Sequence, residues 1–95
     1  LSDRASLAAD AGLLFIFPQP DYIGIWMKDM NFPIDVIWLD STMKVIYIVP
    51  NMTPESYPKV YTPTSPAAYV LEVNAGVAAR ENIKIGDQAK IIPGV

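Results

Sequence analysis

The amino-acid sequence predicts a compact, mainly β domain carrying a short helix and one long proline-rich loop. Its apolar residues fall into runs of strand length, Leu13–Phe17, Ile34–Leu39 and Met43–Val49, rich in β-branched and aromatic side chains and without the i, i+3, i+4 spacing of an amphipathic helix. Polar or proline-bearing breaks bound each run. Pro50, Pro54, Pro58, Pro63 and Pro66 crowd into a single stretch, which resists regular structure. With 95 residues, 52% of them hydrophobic and 18% charged, the chain has material for one core and too little for two, and it lacks the composition of a disordered tail.

Each element follows in order. Residues 2–11 form a polar, alanine-containing lead able to hold a helical turn, with Gly12 as its terminator. Leu13–Phe17 reads as a buried strand, stopped by Pro18-Gln19-Pro20 because proline cannot donate to a ladder. From Asp21 to Lys28 a period of two places Ile23, Ile25 and Met27 on one side of a strand, and Tyr22, Gly24, Trp26 and Lys28 on the other. Asn31-Phe32-Pro33 breaks the chain, and the two following runs make a hairpin about Asp40-Ser41-Thr42. In the Pro50–Pro66 loop, Tyr57, Val60 and Tyr61 are the side chains expected to pin it to the domain. Ala68–Val73 reads as another strand, with Asn74 as N-cap of a short helix from Ala75 to Asn82. Gly86-Asp87 turns into a last strand, Gln88–Ile92, closed by Pro93.

Composition excludes much chemistry. The absence of Cys and His removes disulfides, thiolate nucleophiles, zinc–thiolate sites, imidazole bases and Ser-His triads. Ten acidic against seven basic residues give a net charge of -3, and no Lys/Arg cluster is present to neutralise phosphates, so nucleic acid is not an expected partner. No apolar stretch approaches the roughly 20 residues that cross a bilayer as a helix. The chain opens on Leu1 with no basic-then-apolar leader, which leaves export open.

Two constellations carry candidate chemistry. Tyr22 and Trp26 flank Gly24 on one strand face, leaving a notch where a sugar ring or flat side chain can stack; the competing reading packs this face under the proline-rich loop. Lys28, Asp29 and Asp35 gather about one proline-containing turn, within reach of Glu72 if the sheet curves enough. Together they suit general acid–base work, or else an ion network that pins the turn. Asp35 shares a strand side with Ile37 and Leu39, so an inward orientation obliges its carboxylate to find partners. Asp21, Asp29, Asp35 and Asp40 offer hard oxygens to calcium or magnesium, but their spacing matches no EF-hand, and neither metal nor cofactor is expected. Asn74-Ala75-Gly76 can bind an anion through backbone N–H groups, although capping accounts for Asn74 alone. Ser2, Ser6, Ser41, Ser56 and Ser65 lack a His partner or a Gly-x-Ser-x-Gly elbow.

Five blocks in sequence, Gly12–Phe17, Trp26-Met27-Lys28-Asp29, Pro33-Ile34-Asp35-Val36, Tyr69–Gly76 and Gly86-Asp87, resemble domain of unknown function 192 (DUF192) over nearly the whole chain. The resemblance implies a strongly curved, mostly antiparallel sheet approaching a small barrel, with one or two short helices. It also implies a prokaryotic, often exported, extracytoplasmic protein, and no established activity. Members usually begin with a further strand and a Gly-Leu-Met-type segment, which this chain does not show. Asp29 and Met30 stand where the family more often has Asn and Thr, so a polar site built on that asparagine does not carry over.

The expected function is an exported or envelope-associated binding module that holds carbohydrate or an extended peptide on Tyr22, Trp26, Lys28, Asp29 and Asp35. One alternative is a small hydrolase or lyase using Lys28, Asp35 and Glu72. Another is a structural subunit that self-associates through a strand edge.

Overall fold

A computed structural model describes residues 12–89. Four strands, β1 (Gly12–Asp21), β2 (Ile34–Leu39), β3 (Val45–Met52) and β4 (Ala67–Asn74), are joined by a 3₁₀ turn at Pro54–Ser56 and followed by a single-turn helix, α1 (Val77–Arg80). All pairings are antiparallel, in the order β1-β4-β2-β3. The sheet is not closed into a barrel: β1 and β3 form opposite edges and do not pair with each other.

The central position of β2 decides where the core sits. All six of its residues are buried, because β3 and β4 flank it and its two faces are covered. Ile34, Val36 and Trp38 pack on one face with Val70, Met52, Met27 and Phe32. Ile37 and Leu39 pack on the other with Val45, Val73 and Ala78. Trp38 is fully buried, and its indole N–H donates to the Ile23 carbonyl at 2.8 Å, which satisfies the one polar atom that burial exposes to penalty.

The hairpin forms as its sequence requires. Asp40 closes it by accepting from the Thr42 backbone, the Thr42 hydroxyl and the Lys44 backbone. Met43 takes a left-handed φ of 68°, so β3 starts at Val45, two residues later than the apolar run. A register shift near its far end puts Asn51 at φ 50°, an extra residue facing β2.

Three expectations need correction, and a fourth falls mostly outside the described residues. Leu13–Phe17 is not a buried strand but part of an edge strand that continues through Pro18 and Pro20; Leu14, Phe15 and Ile16 remain exposed. Edge position explains both facts, since the outer side of an edge strand needs no N–H donor, and the ladder lapses between Ile16 and Asp21. Residues 22–28 form no regular strand, only a bridge between Ile25 and Tyr61, yet the alternation holds: Met27 is buried, Ile23 and Ile25 partly so, and their neighbours point outward. Asn74 ends β4 rather than capping a helix; the N-cap is Gly76, at φ 96°, and the helix is confined to four residues. Gln88 makes one bridge, to Lys44, while the rest of the expected last strand and the lead before Gly12 lie outside the described residues.

Candidate functional site

Asp35 is the only fully buried ionisable side chain among the described residues, at 1% exposure. Strand alternation turns it to the Ile37 and Leu39 face, where its charge must be paid for in hydrogen bonds. Oδ1 accepts from the Asn51 backbone at 2.8 Å. Oδ2 accepts from the backbones of Gly76 at 3.1 Å and Ala78 at 2.9 Å. One carboxylate therefore fixes the bulge in β3 and caps α1 from a different strand. It also occupies backbone donors of the Asn74-Ala75-Gly76 segment that could otherwise bind an anion.

Glu72 is the second buried carboxylate, at 7% exposure. It pairs with Val36 in β2 and Leu13 in β1, whereas Asp35 pairs with Val73. Because neighbouring positions on a strand face opposite ways, Asp35 and Glu72 lie on opposite faces of the sheet. Desolvation by burial raises the Glu72 pKa above its ordinary value. The expected convergence of Lys28, Asp35 and Glu72 on one reacting atom does not occur. Asp29 is exposed at a tight turn with φ 60°, and its expected association with Asp35 is replaced by the backbone donors of Asn51, Gly76 and Ala78.

The candidate metal ligands are dispersed as well. Asp21 accepts from the following Tyr22 backbone, Asp40 closes the hairpin, and Asp35 is sealed inside. Among the described residues, no three Asp, Glu, His or Cys gather to hold an ion.

The aromatic constellation does assemble, with different members. Ile25 and Tyr61 exchange two backbone hydrogen bonds of 2.9 Å, which join residues 22–28 to the 57–62 segment at a single bridge, a short ribbon over the Trp38 face. Tyr61 and Ile25 turn inward against the core. Tyr22, Trp26, Tyr57 and Val60 remain 44–56% exposed. The Trp26 and Tyr57 rings lie 5.2 Å apart at a 45° tilt, and Lys28 Nζ sits 5.8 Å from the Trp26 ring. Lys59 Nζ lies 4.7 Å from the Tyr61 ring.

The notch at Gly24 is not empty. A Cβ there would meet Val60 Cγ1 at 2.7 Å, so the loop side chain fills the gap between Tyr22 and Trp26. Tyr57 and Val60, expected to pin the loop, instead belong to the outer surface, and Tyr61 does the pinning. Alternation about Tyr61 was the available signal: once Tyr61 faces inward, Val60 faces out.

No helix among the described residues is long and apolar enough to cross a membrane. No curated protein is significantly similar to the chain. Two crystal structures are. One is a protein of unknown function from Novosphingobium aromaticivorans DSM 12444, with TM-score 0.89 and 32% identity, matched over 96% of this chain and 64% of that one. The other, from Sinorhizobium meliloti 1021, is described as a candidate transcription regulator, with TM-score 0.87 and 33% identity, matched over 93% of this chain and 67% of that one. The chain thus spans about two thirds of the length of these proteins. The profile of DUF192, described as "Uncharacterized ACR", matches residues 1–91, and the chain belongs to that family.

Proposed function

We propose that the chain is a non-catalytic binding module of the prokaryotic cell envelope or exterior, which lays a glycan across the outer face of its aromatic ribbon. One observation carries this reading: Trp26 and Tyr57 make their ring contact at the surface, each nearly half exposed, although Ile25 and Tyr61 on the same two segments pack against the buried core. Rings held this way offer flat apolar faces at little entropic cost, since each is already braced by its neighbour. Tyr22, Trp26 and Tyr57 together expose three aromatic rings, more than one small molecule needs and suited to a chain ligand. Lys28 at the Trp26 end adds donors for ligand hydroxyls. The enzymatic alternative loses support because Asp35 and Glu72 face opposite sides of the sheet. The net charge of -3 likewise gives no support for extending the regulator description of the Sinorhizobium protein to this chain. The extracytoplasmic assignment rests on the family resemblance.

The chain's two tryptophans make the test simple. Trp38 is sealed in the core, so quenching or a spectral shift on adding a soluble oligosaccharide reports Trp26. Saturable binding that Tyr57→Ala weakens at least tenfold, with Trp26 kept as the reporter, is the expected result. If a panel of neutral and acidic oligosaccharides leaves Trp26 unperturbed while an extended peptide shifts it, the ligand class is peptide and the glycan reading fails.

A second reading is compatible with the first. Leu14, Phe15 and Ile16 are exposed on β1, an edge strand, and such edges recruit further strands. Strand-mediated self-association predicts a sedimentation mass that rises with concentration and drops on Ile16→Lys.

A further inference from the structure

The aromatic ribbon also carries charge. Its two segments, 22–28 and 57–62, contain Lys28 and Lys59 and no Asp or Glu, in a chain of net charge -3. The nearest acidic residues along the chain, Asp21, Asp29 and Glu55, stand outside both segments, and the Asp21 carboxylate accepts from the Tyr22 backbone at 2.7 Å. Lys59 is held in place by consecutive turns. Ser56 donates its backbone N–H and its hydroxyl to the Thr53 carbonyl at 3.0 and 2.7 Å, and Tyr57 donates to the Pro54 carbonyl at 3.2 Å. Lys59 donates to the Ser56 carbonyl at 2.9 Å, which puts Tyr57 and Lys59 in one tight turn, and two residues later Tyr61 is tied to Ile25. Among the described residues the Lys59 side chain meets the Tyr61 ring, 4.7 Å from Nζ, and makes no ion pair. Lys28 Nζ stands 5.8 Å from the Trp26 ring, which is itself 5.2 Å from Tyr57. Both lysines therefore belong to the Trp26–Tyr57 end of the ribbon.

We propose, resting on the reading of the ribbon as a glycan surface, that its ligand is an acidic glycan, a chain of uronic acid residues. A pyranose offers an aromatic ring its C–H face, and a uronic acid adds a carboxylate at the rim of the same sugar. Stacking on Trp26 and Tyr57 recognises the sugar, and an ammonium group beside the rings recognises its charge. A neutral glycan would leave Lys59 only hydroxyls to meet, whereas a carboxylate gives a stronger, charge-assisted bond. Lysine suits the task, because a point charge on a flexible stem meets a carboxylate without the fixed fork geometry of arginine. The turns that hold Tyr57 and Lys59 are already formed, so little ordering remains to oppose binding. Two lysines do not supply the run of phosphate contacts on which nucleic-acid affinity depends, which keeps the inference to a sparsely charged chain.

Tetragalacturonate and its full methyl ester are the probes, since they differ in charge alone, and each is titrated into the full chain with Trp26 fluorescence as readout. Both are expected to saturate, with the acid bound about three- to tenfold more tightly at about 0.01 M salt and the preference shrinking at about 0.15 M. Lys59→Gln, a change at an exposed side chain, should reduce that preference about threefold. Lys84→Gln removes the same charge next to Ile83, which packs on the Ile37 and Leu39 side of the sheet, and should leave the preference intact. Equal affinity for acid and ester, a preference that Lys59→Gln does not reduce, or one that Lys84→Gln reduces as much overturns the acidic class while the ribbon reading stands. Silence from both tetrasaccharides overturns the inference and the ribbon reading together.

Discussion

Asp35 and Glu72 are both buried carboxylates on adjacent central strands, separated by a single step of register, yet their surroundings are opposite. Asp35 has three backbone N–H groups aimed at it and uses them to hold β2, β3 and the start of α1 in relation to one another. Glu72 lies across from Val36 and Leu13, and the largest effect on it is loss of water. Burial by itself thus distinguishes nothing. The donor count separates a carboxylate that builds the fold from one that the fold tolerates.

The strongest way to break this comparison is Asp35→Ala. Removing the carboxylate leaves three amides without their acceptor, the buried one at Ala78 and the partly buried ones at Asn51 and Gly76, with a cost of about 1–3 kcal/mol for a fully buried amide and less for the others. Allowing for non-additivity, the expected loss is about 3–5 kcal/mol in urea denaturation, a large part of a small domain's stability. Asp35→Asn comes next. It keeps the shape but replaces one acceptor oxygen with a donor that faces an amide, and about half that loss is expected.

Glu72→Gln should act in the other direction. The folded state holds the Glu72 proton more tightly than the unfolded state does, so wild-type stability is greatest below the ordinary value of 4.5 and falls as pH rises from there through the raised folded value. The slope cannot exceed about 1.4 kcal/mol per pH unit from one group. Glu72→Gln should flatten that decline, and parallel curves for the two proteins would refute the assignment. Gly76→Ala probes the other end of the Asp35 contact: a φ of 96° strains any side chain, so a loss of about 1 kcal/mol is expected with no change in pH dependence.

Asp40 supplies the smallest effect and a control of opposite sign. The Thr42 hydroxyl, first among its causes, lowers its pKa from 3.8. Its contribution is present above 3.8 and is lost as pH falls through the lowered folded value. Asp40→Asn should therefore lower stability above 3.8 and remove part of the decline on the acid limb, whereas Glu72→Gln changes the slope above 4.5.

The hairpin and the inward set Ile23, Ile25 and Met27 were legible in the sequence because alternation and turn chemistry are local properties. Leu13–Phe17 was not, since five apolar residues in a row look the same whether a strand has two neighbours or one. The helix cap was missed for a related reason: sequence reasoning sought the capping oxygen beside the helix, at Asn74, and it comes from Asp35, 43 residues from Ala78. In the candidate site, Tyr22 and Trp26 could be read from parity. Tyr57 and Val60 could not: Val60 is fixed outward only when Tyr61 pairs with Ile25 across the fold, and Tyr57 is exposed although it shares the parity of Tyr61, so alternation does not extend through Pro58.

The reach of the Asp35 bonds also has a kinetic meaning. They span 16, 41 and 43 residues, so two of the three must await closure of most of the chain between β2 and α1, an entropic cost that local contacts do not bear. They are expected to form after the transition state for folding, as a late lock on an already paired sheet. Weakening that lock should leave the refolding rate nearly unchanged and appear almost entirely as faster unfolding, so Asp35 governs how long the native state persists more than how quickly it is reached.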